Sequence, residues 1–341
     1  MTSDQQNNDV SDELIDQPVR AIAKAISSGQ VSAAKVTRDF LDRIEAVNPA
    51  LNAVVLVAAE HAMKLAERAD IALKGGETPG PLFGVPMTIK DSLDTYDLVS
   101  TWGTTGRVKF RPGRDATCVA RLRAAGAVLL GKTNTPEFTM SFQTDNLIFG
   151  KTNNPFALDR TSGGSSGGAA SIIAAQASPF DVGTDTCGSI RLPSHFCGVA
   201  GIKPTTGRIP CTGNALPSTG LLAPLTQPGP MARYVDDLSY LLPIMMGPDN
   251  IDPHARLAPW YDPDAVVVQT LRIGYHADNG IKTPDAPIIK SLRDVIDQVN
   301  MNGLKTSEVR PSGLEMTSFV LDRLFSAAST DMLEGLIEDC R

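Results

Sequence analysis

The apolar positions of the chain follow two alternating rhythms. From about Pro18 to Ile26 they recur at helical spacing, and Gly29 supplies a C-terminal stop. Ser32 stands where a helix N-cap belongs. Val36, Phe40, Leu41 and Ile44 then repeat on one face until Asn48-Pro49 ends the run. Asn52 to Val57 (NAVVLV) has the pattern of a strand, and the Ala-rich, amphipathic stretch from about Ala58 to Leu73 that of a helix. Gly84 to Ile89 (GVPMTI) is a short apolar strand that ends at Lys90-Asp91. A helix from about Ala116 to Ala125 leads through Gly126 into a second buried strand, AVLLGK. Later come a helix from about Val235 to Met246, a strand at Leu271 to Tyr275, a helix from about Asp285 to Met301 and a last helix from about Glu315 to the end. Strand and helix alternate, which predicts an α/β layer architecture.

Residues 150 to 230 break this rhythm. They are dense in Gly, Ser, Thr and Pro, with short strands such as Phe180 to Gly183. In an ordered protein such a stretch builds a site, because glycine lets the backbone come close to a ligand. The polar residues 1 to 11 are expected to be disordered.

Composition narrows the function classes. The chain has 341 residues, 42% of them hydrophobic and 20% charged, with a formal net charge of −7. An acidic balance argues against a nucleic-acid surface. No apolar run approaches the roughly 20 residues of a membrane helix. The first seventeen residues lack the basic start and apolar stretch of a secretory signal. Five cysteines (Cys118, Cys187, Cys197, Cys211, Cys340) form no CxxC pair, and four histidines (His61, His195, His254, His276) form no HExxH. The expectation is a reduced, cytoplasmic protein with no metal site and no cofactor.

Three places can carry chemistry: Lys90 at its strand end, the run Gly163-Gly164-Ser165-Ser166-Gly167-Gly168, and Gly183 to Arg191 (GTDTCGSIR). From the residues alone the Gly/Ser run has three readings. A phosphate loop would offer free N–H groups, but neither GxxxxGK[ST] nor GxGxxG is present. A serine–glycine linker would be longer and flanked by polar sequence. A tight catalytic loop that places serine hydroxyls near backbone donors carries the most weight.

The segments GVPMTIKD (84–91), AAGAVLLGKTNTPEF (124–138), FGKTNNP (149–155), GGSSGG (163–168), GTDTCGSIRLPSHFCGVAGIKPT (183–205) and GPMARYVDDL (229–238) resemble the amidase signature family, in order and with consistent spacing. The resemblance covers roughly residues 30 to 280. It implies a mixed central β-sheet covered by helices on both faces, in one domain over residues 12–341 with a catalytic core at about 80–240. It also implies a serine hydrolase of amide bonds. Ser189 would be the nucleophile, Ser165, following a cis peptide bond, the bridging serine, and Lys90 the base. The chemistry is coherent: a serine hydroxyl needs a base, and a buried lysine can be one if kept neutral. The N–H groups of Thr186, Cys187, Gly188 and Ser189 would form the oxyanion hole, with cysteine at 187 where the family usually has glycine. Ser166, Asp185 and Arg191 would brace the loop, and Thr139, with Met140 and Ser141, would line the substrate pocket. His195 is expected to have a helix or packing role rather than act as a base.

The implied substrate is a small-molecule amide, ester, hydrazide or carbamate, and a homo-oligomer is possible. A rival is the glutamine-hydrolysing amidotransferase subunit, which acts with partner subunits on misacylated tRNA. PSHFCGVAGIKPT resembles stand-alone amidases more than that subunit. Family members continue well past the point matching Leu271 to Tyr275. The chain is therefore expected to lack C-terminal strands, leaving an open sheet edge and exposed apolar surface. It would be a truncated product, a marginally stable enzyme that associates, or an inactive remnant with a binding role.

Overall fold

The computed structural model describes residues 14–338 and 340, side chains of 329 and 331 excepted, so the expectation for residues 1–11 lies outside it. In chain order the elements are α1 (Val19–Ser27), α2 (Ala33–Leu51), β1 (Val54–Val57), α3 (Ala59–Lys74), β2 (Pro86–Lys90), α4 (Thr117–Ala124), β3 (Val128–Thr133), β4 (Asn153–Asn154) and β5 (Ala157–Thr161). They continue with α5 (Gly167–Ala174), β6 (Phe180–Asp185), α6 (Arg191–Cys197), β7 (Ala200–Gly201), β8 (Gln227–Ala232), α7 (Val235–Met245), β9 (Arg272–Tyr275), α8 (Ala286–Met301), β10 (Lys305–Glu308) and α9 (Thr317–Glu338). The α/β class holds, with helices and mixed pairings. β3 is central to one three-stranded sheet, antiparallel to β1 and parallel to β2. β8 is central to another, antiparallel to both β6 and β7.

The described chain divides into two compact units, residues 14–258 with 331–338 and 340, and residues 259–330. The first holds a contiguous apolar core in which Ile22, Phe40, Leu82, Met87, Leu129 and Phe180 are fully buried. The second contains the parallel pair β9–β10 and α8. It buries Ile296 and Ala328 while exposing Tyr261, Val295 and Phe319. Among the described residues no helix is long and apolar enough to cross a membrane.

Local chemistry explains the element ends. Ser32 caps α2 as expected, its hydroxyl accepting the Lys35 N–H at 3.1 Å. Asp70 on α3 reaches across to the N–H groups of Ala33 (2.7 Å) and Ala34 (3.0 Å), so one carboxylate satisfies two orphan donors. Asn48-Pro49 does not end α2, which runs one turn further to Leu51. The Asn48 side chain makes the turn into β1, with Oδ1 accepting from Ala53 (2.9 Å) and Val54 (2.8 Å).

β8 has no counterpart in the sequence-based reading, because Pro228 and Pro230 argue against a central strand. Register resolves the conflict. The Pro230 carbonyl accepts from the Ile202 N–H beside β7 (3.3 Å), so residue 230, and by alternation 228, turns its missing N–H toward the short β7 edge. The ladder to β6 then falls on residues that have their donors.

Candidate active site

Lys90 closes β2, and Ser165 lies in the loop before α5. The Lys90 Nζ donates to Ser165 Oγ at 2.6 Å and to Thr184 Oγ1, on β6, at 2.9 Å. Lys90 is wholly buried. Burial lowers its pKa from 10.5 to about 7, although the carboxylates of Asp185 and Asp181 pull it upward. At neutral pH much of this amine is therefore the free base.

The Gly164–Ser165 peptide bond is cis. A Cβ at Gly164 would stand 2.7 Å from the Phe142 carbonyl carbon and 2.8 Å from Gln143 N and Ser141 O. Segment 141–143 thus lies directly on the loop before Ser165, which brings the stretch containing Thr139 to the site. Thr139 is buried with a left-handed φ of 63°, next to Phe138 at 49°. That conformation is costly for a β-branched residue. It is fixed by Phe138 N–H to Trp102 O (2.8 Å) and Thr139 N–H to Pro136 O (2.9 Å).

Ser189 follows β6 and is buried. Its carbonyl accepts the Ser166 N–H at 3.1 Å. The Ser166 hydroxyl in turn lies between the N–H (3.3 Å) and the carbonyl (3.4 Å) of Thr184. The Ser165–Ser166 loop and the Ser189 loop are thereby stitched together. Among the described residues no hydrogen bond joins the Ser165 and Ser189 hydroxyls.

Asp185 organises the turn before Ser189. Its carboxylate accepts the N–H groups of Gly188 (2.7 Å), Ile190 (3.1 Å) and Arg191 (3.3 Å), and two guanidinium bonds from Arg191, both 2.9 Å. Burial alone would raise its pKa, but Arg191 and the main-chain donors outweigh it and hold the carboxyl below the usual range. One expectation changes here: the Gly188 N–H points at Asp185 and is not free. The N–H groups of Cys187 and Ser189 have no acceptor among the described residues. The Thr186 hydroxyl pairs with that of Thr226 at 2.8 Å. The left-handed turn falls on Gly188 (φ 123°), so Cys187 keeps an ordinary backbone. Burial raises the Cys187 pKa, which keeps this thiol protonated.

His195 sits exposed on α6, its ring 5.8 Å from that of Phe196, and among the described residues it makes no hydrogen bond to Lys90, Ser165 or Ser189. Two residues escape the sequence-based reading: Thr184, which contacts Lys90, and Asp181, buried in the same strand. The signal for Asp181 is a carboxylate inside an otherwise apolar run (FDVG), a position that needs partners.

A profile of the amidase family matches residues 35–337. The chain belongs to the amidase signature family. As a member it is 38% identical over 316 residues to a glutamyl-tRNA(Gln) amidotransferase subunit of Roseiflexus sp. (strain RS-1), covering 92% of this chain and 63% of that one. Two solved amide hydrolases share the fold. The fatty acid amide hydrolase matches with a TM-score of 0.89 at 27% identity, over 97% of this chain and 59% of that one. The 6-aminohexanoate cyclic dimer hydrolase complexed with substrate matches with a TM-score of 0.85 at 31% identity, over 95% and 67%. This amidase signature chain spans about three fifths of the length of the curated relatives it matches.

Proposed function

We propose that the chain carries the acyl-transfer machinery of an amide hydrolase, with Ser189 as nucleophile, Ser165 as proton relay and Lys90 as base. The observation that carries this reading is the 2.6 Å contact from a wholly buried lysine to the Ser165 hydroxyl. Neutral Lys90 takes the Ser165 proton while Ser165 takes that of Ser189, once the Ser189 hydroxyl turns toward it. Ser189 Oγ bonds to the amide carbonyl carbon, and the oxyanion rests on the N–H groups of Cys187 and Ser189, joined by Thr186. A free donor of this kind is worth about 3–4 kcal/mol in the transition state. Lys90 then returns its proton through Ser165 to the nitrogen, the C–N bond breaks, and the amine leaves. Water, deprotonated along the same route, cleaves the acyl-enzyme to the acid. Gly188 adds its N–H to the oxyanion only when Asp185 releases it. We place the substrate among small amides, with esters, hydrazides and carbamates open to the same chemistry, and expect no cofactor.

The relatives favour a second reading. The Roseiflexus protein at 38% identity is named for glutamyl-tRNA(Gln) amidotransferase, as one of its subunits. Here the amide would be that of glutamine and the released ammonia would pass onward in a complex with partner subunits. The test assays the purified full chain and Ser189→Ala on aryl amides and on glutamine. Hydrolysis by the wild type and its loss in the variant are expected. Equal rates overturn the reading, and glutamine hydrolysis that appears only with partner subunits selects the second.

A further inference from the structure

The two three-stranded sheets abut along β2 and β6, yet among the described residues no ladder pairs these strands. One side chain bridges them. Asp181, on β6 and wholly buried, accepts the main-chain N–H of Lys90 through Oδ1 at 3.0 Å. Its Oδ2 accepts the hydroxyls of Thr88 on β2 (2.6 Å) and Thr133 on β3 (3.0 Å). A carboxylate thus replaces the missing backbone acceptor where the lysine leaves its strand, and three strands converge on it.

From this convergence we infer that Asp181 is the positioning residue for Lys90, fixing its main chain and acting as the buried counter-charge that sets when its amine becomes neutral. The inference rests on the reading of Lys90 as a base. The charged groups around the pair are few. β6 contributes Asp181 and Asp185, β3 contributes Lys132, and the turn after β2 contributes Asp91; the Ser165 loop and α5 bring only hydroxyls and apolar groups. Asp185 also raises the Lys90 pKa, with its carboxylate tied to Arg191. Asp181 has no guanidinium or ammonium bonded to it, so its charge acts on Lys90 with hydroxyl and N–H donors as its only direct partners. Burial moves the Asp181 pKa up to about 6, so above that pH it is a carboxylate. A negative charge near an amine favours the ammonium. Removing the charge while keeping the shape therefore makes Lys90 neutral at lower pH.

The experiment follows the rate of Ser189 labelling by a fluorophosphonate probe from pH 5.5 to 9, in the full chain and in Asp181→Asn. The asparagine still offers its carbonyl oxygen to the Lys90 N–H, and the two threonine hydroxyls can turn to accept from its amide. The wild type is expected to label with an acid limb near pH 7. In the variant that limb moves down by about half a pH unit or more, so that labelling at pH 6, relative to each protein's plateau, rises about threefold. A merely structural role would lower the melting temperature and leave the limb in place, and a folded Asp181→Asn with an unmoved limb overturns this inference alone. A wild type that does not label overturns the lysine-base reading and the inference with it. Should Asp181→Asn not fold, Thr133→Val reads the same effect. Losing one donor raises the Asp181 pKa, so the carboxyl is ionised over less of the acid limb; that limb is expected to move in the same direction by a smaller step, and an unmoved limb again refutes the proposal.

Discussion

Lys90 and Lys132 stand on neighbouring strands, β2 and β3, and neither has any exposure. Burial lowers the pKa of both. Their partners differ. Lys132 donates to the Leu93 carbonyl, to Thr95 Oγ1 (2.7 Å) and to Ser100 Oγ (3.2 Å), with the Asp91 carboxylate at 3.7 Å. The carbonyl can only accept. The Thr95 hydroxyl already donates to Leu93 O, so it too can only accept from the amine; Ser100, which accepts the Thr95 N–H, keeps its own proton free. Two of the three contacts therefore require ammonium protons. Lys90 has two hydroxyl partners, and neither donates to another group among the described residues. Either can turn and give its proton to a neutral amine. Desolvation makes both lysines weaker bases; the direction in which their partners can donate decides which one is able to act as a base.

The same substitution at both positions tests this contrast. Lys90→Met should cut amide hydrolysis by about 10²–10⁴-fold while the protein still melts cooperatively. Lys132→Met leaves Asp91 buried without its cation and should cost about 3–5 kcal/mol of stability in a denaturant titration. Its activity, measured where it is folded, should stay within about tenfold of wild type. If Lys132→Met abolishes activity at unchanged stability, the contrast fails.

A subtler effect concerns pH. The folded state binds the Lys90 proton with a pKa of about 7 against 10.5 for the free side chain. Below pH 7 both states hold the proton, and burying the ammonium carries its full penalty. Between 7 and 10.5 the unfolded chain binds more protons than the folded one, so the penalty fades as pH rises. The melting temperature of Lys90→Met relative to wild type should thus be highest at pH 6 and clearly lower at pH 9.5. A constant difference would mean that the amine is not shifted. The smallest expected change is Cys187→Gly. The thiol is protonated and the left-handed turn falls on Gly188, so turnover should move by no more than about twofold, with a loss of about 0.5–1 kcal/mol from added backbone freedom.

Much of the scaffold is legible in the sequence because local rules decide it. Ser32 caps its helix, the apolar runs at 86–90 and 128–133 are strands, and Asp185 meets Arg191 as a charge pair six residues apart should across a tight turn. What escapes depends on partners distant in sequence. Pro49 reads as a stop, yet the helix gives up the one bond a Pro49 N–H would make and runs on to Leu51, where the Asn48 side chain closes it. β8 is a strand only because register turns both prolines toward β7. The β10 segment KTSE has no apolar alternation of its own and is a strand by its pairing with β9. At the site, Lys90 and Ser165 meet as the motifs imply. The engagement of Gly188 by Asp185 and the role of Thr184 are matters of side-chain direction that no spacing encodes.

The absent ladder between β2 and β6 has a consequence for how a sample of this protein behaves. Lys90 belongs to one sheet, and the loop bearing Ser189 leaves the other. β2 takes its register from its ladder with β3, and only Asp181 and packing hold it to β6, so a slip of one residue in that ladder would shift Lys90 by roughly 3.3 Å and turn it to the opposite face. Molecules would then be in register or silent, with no gradation between. A preparation of low specific activity would hold fewer competent molecules rather than uniformly sluggish ones, and titrating Ser189 would count them.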